Sequence, residues 1–97
     1  MEVMNDCQKA TKVIEILKAA EHEPAQLALP MLNKLLDLAH ADQEQPLEIE
    51  ETRADAFLAI CEIGKALHHG RPAAHLWALA IGAAERWMSL SAAGSSH

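Results

Sequence analysis

The chain has 97 residues, of which 51% are apolar and 3% aromatic, and its formal net charge at pH 7 is −6. This length accommodates one domain with a single core, and an apolar fraction supplied mainly by Ala and Leu favours helices that pack closely. We expect no nucleic-acid binding, because the eight Lys and Arg residues are dispersed and phosphate backbones require clustered basic side chains.

The first predicted helix runs from Asn5 or Asp6 to about Glu21. Either residue can cap it, because Asn and Asp side chains accept hydrogen bonds from the first backbone N–H groups of a helix. Apolar residues recur at the spacing of a helix with one buried face. They are Cys7, Ala10, Ile14 and Leu17.

Two prolines constrain the second predicted helix. Pro24 suits a first helical position, whereas Pro30 in the interior would remove a backbone hydrogen bond and clash with the preceding turn. We therefore predict a kink or a break near Pro30, after which the main helix continues to about Ala41.

The third predicted helix begins between Leu47 and Thr52 and ends at His68 and His69. Gly70 follows as a cap, because glycine readily adopts the left-handed conformation that ends many helices. A fourth helix opens almost at once, so the third and fourth helices are predicted to form a hairpin.

The fourth helix, predicted from Pro72 to Leu90, is apolar around most of its circumference, and we expect it to be the most buried of the four. Trp77 and Trp87 are rotated about 80° from each other on the helix, so one is predicted to face the core and the other a partner. Gly82 costs about 1 kcal/mol relative to Ala inside a helix, which suggests close approach of another backbone.

Four helices with short connections predict an all-α protein, an antiparallel four-helix bundle. The surplus apolar surface of the fourth helix predicts a homodimer, because two-fold dimers are the commonest oligomers. The predicted interface consists of Trp77, Ala78, Ile81, Gly82, Trp87 and Met88.

We assign residues 1–93 to this single domain and 94–97 to a disordered tail or the remnant of an affinity tag. The N-terminus does not have the basic and then apolar segments of a secretion signal. The apolar run of the fourth helix is interrupted by Glu85 and Arg86 before it reaches the roughly 20 residues that a membrane span needs. We therefore expect a cytoplasmic protein without a membrane partner.

Three histidines near one tight turn, His68, His69 and His75, are weak candidates for a metal site. Imidazole nitrogens bind zinc and nickel, but adjacent helical residues point about 100° apart. No Cys or carboxylate at ligand spacing accompanies them. We therefore predict no metal site and no cofactor, and explain the histidines by their favourable interaction with a helix C-terminus.

Two partial motifs bear on catalysis by carboxylates. Glu48 and Glu51 have a spacing that resembles one half of the magnesium site of all-helical nucleotide pyrophosphohydrolases, but the second half, Glu-x-x-Asp, is absent. Asp37 and His40 resemble one arm of a di-iron bundle site, which requires a second arm and two further glutamates. Neither motif is complete, so we predict no catalytic residue.

Cysteine chemistry is also not indicated. Cys7 and Cys61 fall on apolar helical positions and are predicted to be buried free thiols. A nucleophilic cysteine requires a positioned base and a site for the developing negative charge, and no glycine-rich turn suggests one.

Six of the fourteen acidic residues lie in one short segment. They are Asp42, Glu44, Glu48, Glu50, Glu51 and Asp55. An acidic surface of this kind serves solubility or docks on a basic protein. We favour solubility and keep docking as the alternative.

Taken together, these patterns predict a small non-enzymatic protein-interaction module, an adaptor or an inhibitor that docks on another protein. The first alternative is a bundle that binds an apolar small ligand or a metal ion. Its pocket would be lined by Phe57, Trp77, Trp87 and Met88. The second alternative is a small metal-dependent hydrolase. Its carboxylates would be Glu48, Glu51, Asp55 and Glu62.

The helical pattern of the whole sequence resembles that of short open reading frames from bacteria and their mobile elements, which encode small helical proteins. No motif in the sequence identifies a family.

Overall fold

The computed structural model describes residues 4–41 and 44–94. The described residues form four α-helices and no strand, which confirms the predicted all-α class. In chain order the helices are α1 (Asp6–Ala20), α2 (Ala25–Ala39), α3 (Leu47–His68) and α4 (Ala74–Gly94). Of the predicted tail at 94–97, Gly94 is the last residue of α4, and 95–97 lie outside the described residues.

The start of α1 follows the prediction. Asn5 is the N-cap, and its side-chain oxygen accepts a hydrogen bond from the backbone N–H of Gln8 at 2.8 Å. The Gln8 side chain in turn accepts from the backbone N–H of Asn5 at 3.0 Å. This reciprocal pair satisfies two backbone donors that a helix start otherwise leaves without partners.

Of the kink or break predicted near Pro30, the break is wrong, because α2 continues through this residue from Ala25 to Ala39. Pro30 is exposed, while Leu32 and Leu35 on the opposite side are buried. Each buried leucine contributes about 1.5–3 kcal/mol, so the pair offsets the roughly 3 kcal/mol that an interior proline costs.

The end of α3 also follows the prediction. Gly70 has a φ of +64°, and its backbone N–H donates to the carbonyl of Leu67 at 3.3 Å. The N–H of Arg71 donates to the carbonyl of Ala66 at 2.8 Å. These two bonds form a Schellman motif, which turns the chain sharply toward α4.

Helix packing forms a closed cycle, in which α1 contacts α2 and α4, and α3 also contacts α2 and α4. Each helix therefore has two main neighbours. The largest fully buried side chains are Val13, Leu17, Leu35, Ile60, Ile63 and Trp87. The chain is compact, with a Cα radius of gyration of 13.1 Å.

The prediction that α4 is the most buried helix is wrong. Seven of the fifteen residues of α1 are buried, whereas α4 exposes a continuous stripe of its surface to solvent. Like the other helices of the cycle, α4 has only two main neighbours, α1 and α3, so its apolar composition does not bring a helix onto its remaining side. Among the described residues, no helix is both long enough and apolar enough to cross a membrane.

Candidate functional site

The inner side of α4 carries a buried hydrogen bond to the start of α1. The indole Nε1–H of Trp87 donates to Oδ2 of Asp6 at 3.0 Å. Trp87 has no exposed surface, and Asp6 is only 6% exposed. A hydrogen bond from a buried donor to a carboxylate contributes about 1.5–3 kcal/mol, so this pair fixes α4 against α1.

Both tryptophans lie inside the chain, so the expectation that one of them faces a partner is wrong. Trp77 is 6% exposed. The two tryptophans are about 80° apart around the helix. Both lie on the side of α4 that contacts α1 and α3. Two helices of the same chain, α1 and α3, are therefore sufficient to cover both rings.

The other predicted interface residues divide between the two sides of α4. Ile81 and Met88 are half-buried and pack against the core. Ala78 is exposed and Gly82 is half-buried. Of the predicted set, Ala78 is exposed, and Ile81, Gly82 and Met88 each keep part of their surface open to solvent.

We define the outer face of α4 as the stripe that contains Ala78 and Gly82. It consists of His75, Ala78, Leu79, Gly82, Glu85, Arg86, Ser89, Ala92 and Ala93. Most of these side chains are small, and the only large apolar one, Leu79, is 60% exposed. A shallow depression of about 500 Å³ lies on this face and is lined in part by Gly82 and Ser89.

Gly82 has no packing role within the described part of the chain. A Cβ built at this position would meet only the Nη1 atom of Arg86, at 3.8 Å. That distance is an ordinary van der Waals contact with the end of a flexible side chain. The close approach of a second backbone, which the sequence suggests at Gly82, is therefore not provided by the protein's own helices.

Three leucines outside α4 are about as exposed to solvent as Leu79. Leu27, Leu47 and Leu58 are 55%, 72% and 61% exposed. Single exposed apolar residues are normal on protein surfaces. Leu79 differs from them because it lies beside an unexplained helical glycine.

The acidic segment is partly used by the fold. Glu50 pairs with Arg53, with Oε2 at 3.1 Å from Nη2, and Nη1 of Arg53 donates to the carbonyl of Ala39 at 2.7 Å. This connection satisfies one carbonyl at the end of α2. The carboxylates that remain exposed are Glu44, Glu48, Glu51 and Asp55. Asp42 lies outside the described residues.

The described residues give little support for a metal site. Within 4–41 and 44–94, no three His, Cys, Asp or Glu side chains are grouped closely enough to hold a metal ion. His68, His69 and His75 are all exposed. Glu62, the fourth carboxylate of the proposed hydrolase set, is also exposed and pairs with Lys65 at 3.2 Å.

The two cysteines are free but only half-buried, so their predicted full burial is wrong. Cys7 lines a pocket of about 230 Å³ beside Asp6, where the start of α3 and the end of α4 meet the start of α1. Ile49 and Ser91 also line it. The pocket is mixed in polarity rather than apolar.

The residues predicted to line an apolar pocket between the helices differ in burial: Trp77 and Trp87 are buried, whereas Phe57 and Met88 are half-buried. Trp87 has no surface exposed to a cavity. Phe57 instead lines a surface depression of about 280 Å³ together with Ala54 and Leu58. Neither tryptophan lines that depression.

Comparison with known proteins adds no functional information. No protein-family model, curated protein or solved structure matches this chain.

Proposed function

We propose that this chain is a small non-enzymatic protein-interaction module that self-associates as a homodimer through the outer face of α4. The observation that carries the proposal is Gly82, a helical glycine without a packing role inside the chain. Such a glycine lowers helix stability by about 1 kcal/mol relative to Ala. Contact with another backbone would offset that cost.

The composition of the outer face supports close contact between helices. Ala78, Gly82 and Ser89 have side chains too small to hold another helix at a distance. Helix axes approach to about 8 Å when contact residues are small. Leu79, which is 60% exposed, would lose apolar surface in the same contact.

We also propose that the four helices are antiparallel. Contacts at one end of the molecule support this arrangement. Arg53, early in α3, contacts the carbonyl of Ala39 at the end of α2. Asp6 and Ile49, at the starts of α1 and α3, line the same pocket as Ser91 near the end of α4.

The alternatives receive less support. A metal-dependent hydrolase that uses Glu48 and Glu51 would need converging carboxylates, but these two side chains are exposed and belong to no group of three potential ligands in the described range. A bundle that binds an apolar ligand would need an open pocket at Trp87, which is fully buried.

We extend the proposal to a cytoplasmic location. Cys7 and Cys61 are unbridged, and reducing compartments keep thiols in this state. The exposed acidic residues Glu48, Glu51 and Asp55 serve solubility in this proposal, and docking on a basic protein is the alternative role.

Sedimentation or light scattering tests the proposal. We expect the mass of a dimer for tag-free protein at about 50 µM, a concentration at which a dimer with a Kd of about 1 µM or lower is mostly assembled. Ala78→Glu should give the monomer mass, because it places a charge in the proposed interface. Ala19→Glu is the matched control, since Ala19 is an exposed alanine on α1 and its replacement should leave the dimer intact. A monomer mass for the unaltered protein contradicts self-association.

A further inference from the structure

The outer face of α4 has a charge pattern as well as a shape. Its centre line contains His75, Gly82 and Ser89, which follow one another at seven-residue spacing. At 100° per residue these positions stay within about 40° of one another around the helix. They therefore form the line along which a second helix would make its closest contact.

Two flanks border this centre line. The first flank consists of Ala78, Glu85 and Ala92. The second flank consists of Leu79, Arg86 and Ala93. All six residues are exposed. Each residue of the first flank precedes one of the second flank, so the two members of a pair lie nearly level, about 1.5 Å apart along the helix axis.

Symmetry decides which flanks meet when two copies of α4 pair. A parallel pair about a two-fold axis places the first flank of one copy against the second flank of the other. Glu85 then faces the second copy's Arg86 on both sides of the contact, and Ala78 faces the second copy's Leu79. In this arrangement each acidic residue of the outer face lies opposite a basic residue of the second copy, and each apolar flank residue lies opposite an apolar one.

An antiparallel pair places each flank against its own counterpart. If the pair is centred on Gly82, Glu85 lies against the second copy's Ala78, and Arg86 against its Leu79. If it is centred between Glu85 and Arg86, like charges face each other. Both arrangements remove charged groups from water without an opposite charge, which is unfavourable.

We propose that the occupant of the outer face is a second copy of this chain, with the two α4 helices parallel and Glu85 paired with the second copy's Arg86. This inference rests on the proposed self-association and adds its direction and register. Gly82 and Ser89 lie at the centre, where they permit close approach of the backbones. The ion pairs at the flanks select direction more than they add affinity.

Cysteine cross-linking tests the direction. In a Cys7→Ala, Cys61→Ala background, we would introduce His75→Cys and Ser89→Cys separately and oxidise the protein. A disulfide needs Cα atoms within about 7 Å, so a parallel pair links each variant to its own copy. An antiparallel pair centred on Gly82 instead links His75→Cys only to Ser89→Cys in a mixture of the two variants. Lys34→Cys, at an exposed position on α2, is the control.

Charge exchange tests the register. Glu85→Arg and Arg86→Glu alone each create two like-charge contacts and should weaken the dimer at least roughly fivefold. A mixture of the two variants restores both opposite-charge contacts and should form heterodimers at near the original affinity. Glu15→Arg on α1 is the control and should have no effect. Circular dichroism verifies that each variant keeps its helices.

The outcomes separate this inference from the function on which it rests. A dimer mass with links only between His75→Cys and Ser89→Cys overturns the parallel arrangement and leaves self-association through α4 standing. A dimer mass without either kind of link overturns the parallel arrangement, because a parallel pair brings each introduced cysteine next to its own counterpart. Unchanged affinity in both charge variants overturns the register. A monomer mass for the unaltered protein overturns the proposed function and this inference together.

Discussion

The two sides of α4 are both rich in alanine, yet they have different surroundings. On the inner side, Ala80 and Ala84 are fully buried next to Trp87. On the outer side, Ala78 and Ala92 are exposed. Alanine content therefore does not determine which side of a helix is buried. The inner side is defined by its two large aromatic residues and by one hydrogen bond to α1.

The largest effect is expected from truncation of the inner side. Trp87→Ala should lower the free energy of unfolding by about 3–5 kcal/mol, because it leaves a cavity where the largest fully buried side chain lay,. Leu79→Ala on the outer side should change it by no more than about 0.5 kcal/mol. Urea denaturation at a dilution that gives the monomer mass measures both values. Similar losses for the two variants would contradict the assignment of inner and outer sides.

A smaller effect is expected from the hydrogen bond between the inner side and α1. Asp6→Ala should lower the free energy of unfolding by about 1.5–3 kcal/mol, because it removes a charged acceptor and leaves the Trp87 N–H buried. Asp6→Asn keeps an acceptor and should lose less. A double-mutant cycle with Trp87→Phe isolates the coupling between the two side chains. A coupling energy near zero would show that the bond does not contribute to stability.

The smallest effect is expected from Gly82, and it has the opposite sign. Gly82→Ala should raise the free energy of unfolding by up to about 1 kcal/mol, because Ala favours helix and the added Cβ meets no close neighbour. Gly70→Ala is the matched control and should lower stability by about 1 kcal/mol, since Gly70 has a φ of +64°,. Both are measured at a dilution that gives the monomer mass. A loss of stability in Gly82→Ala would show that this glycine already has a role within one chain.

Features that depend on a few consecutive residues were predictable from the sequence. The cap at Asn5 and the glycine that ends α3 follow from side-chain chemistry and from backbone sterics at single positions. The start of α3 at Leu47, within the predicted range, places Glu48 and Glu50 in the first turn, where the helix dipole favours them,.

Features that depend on which helices become neighbours were not predictable in the same way. Helical spacing gives the angle between Trp77 and Trp87, but the angle is equally consistent with one or two buried rings. The bond from Trp87 to Asp6 has no local signal at either residue. Continuity of α2 at Pro30 depends on burial of the opposite side, which a local rule does not include.

The Asp6–Trp87 bond also bears on the order of folding. It joins residues 81 positions apart, whereas the turn between α3 and α4 closes within a few residues. Closing a longer loop costs more chain entropy, so α3 and α4 can associate early, while α1 and α4 meet only when the whole cycle closes. An interaction that forms after the rate-limiting step leaves the folding rate nearly unchanged and slows unfolding. We therefore expect the buried bond to slow unfolding, and so to lengthen the lifetime of the native state, with little effect on the folding rate.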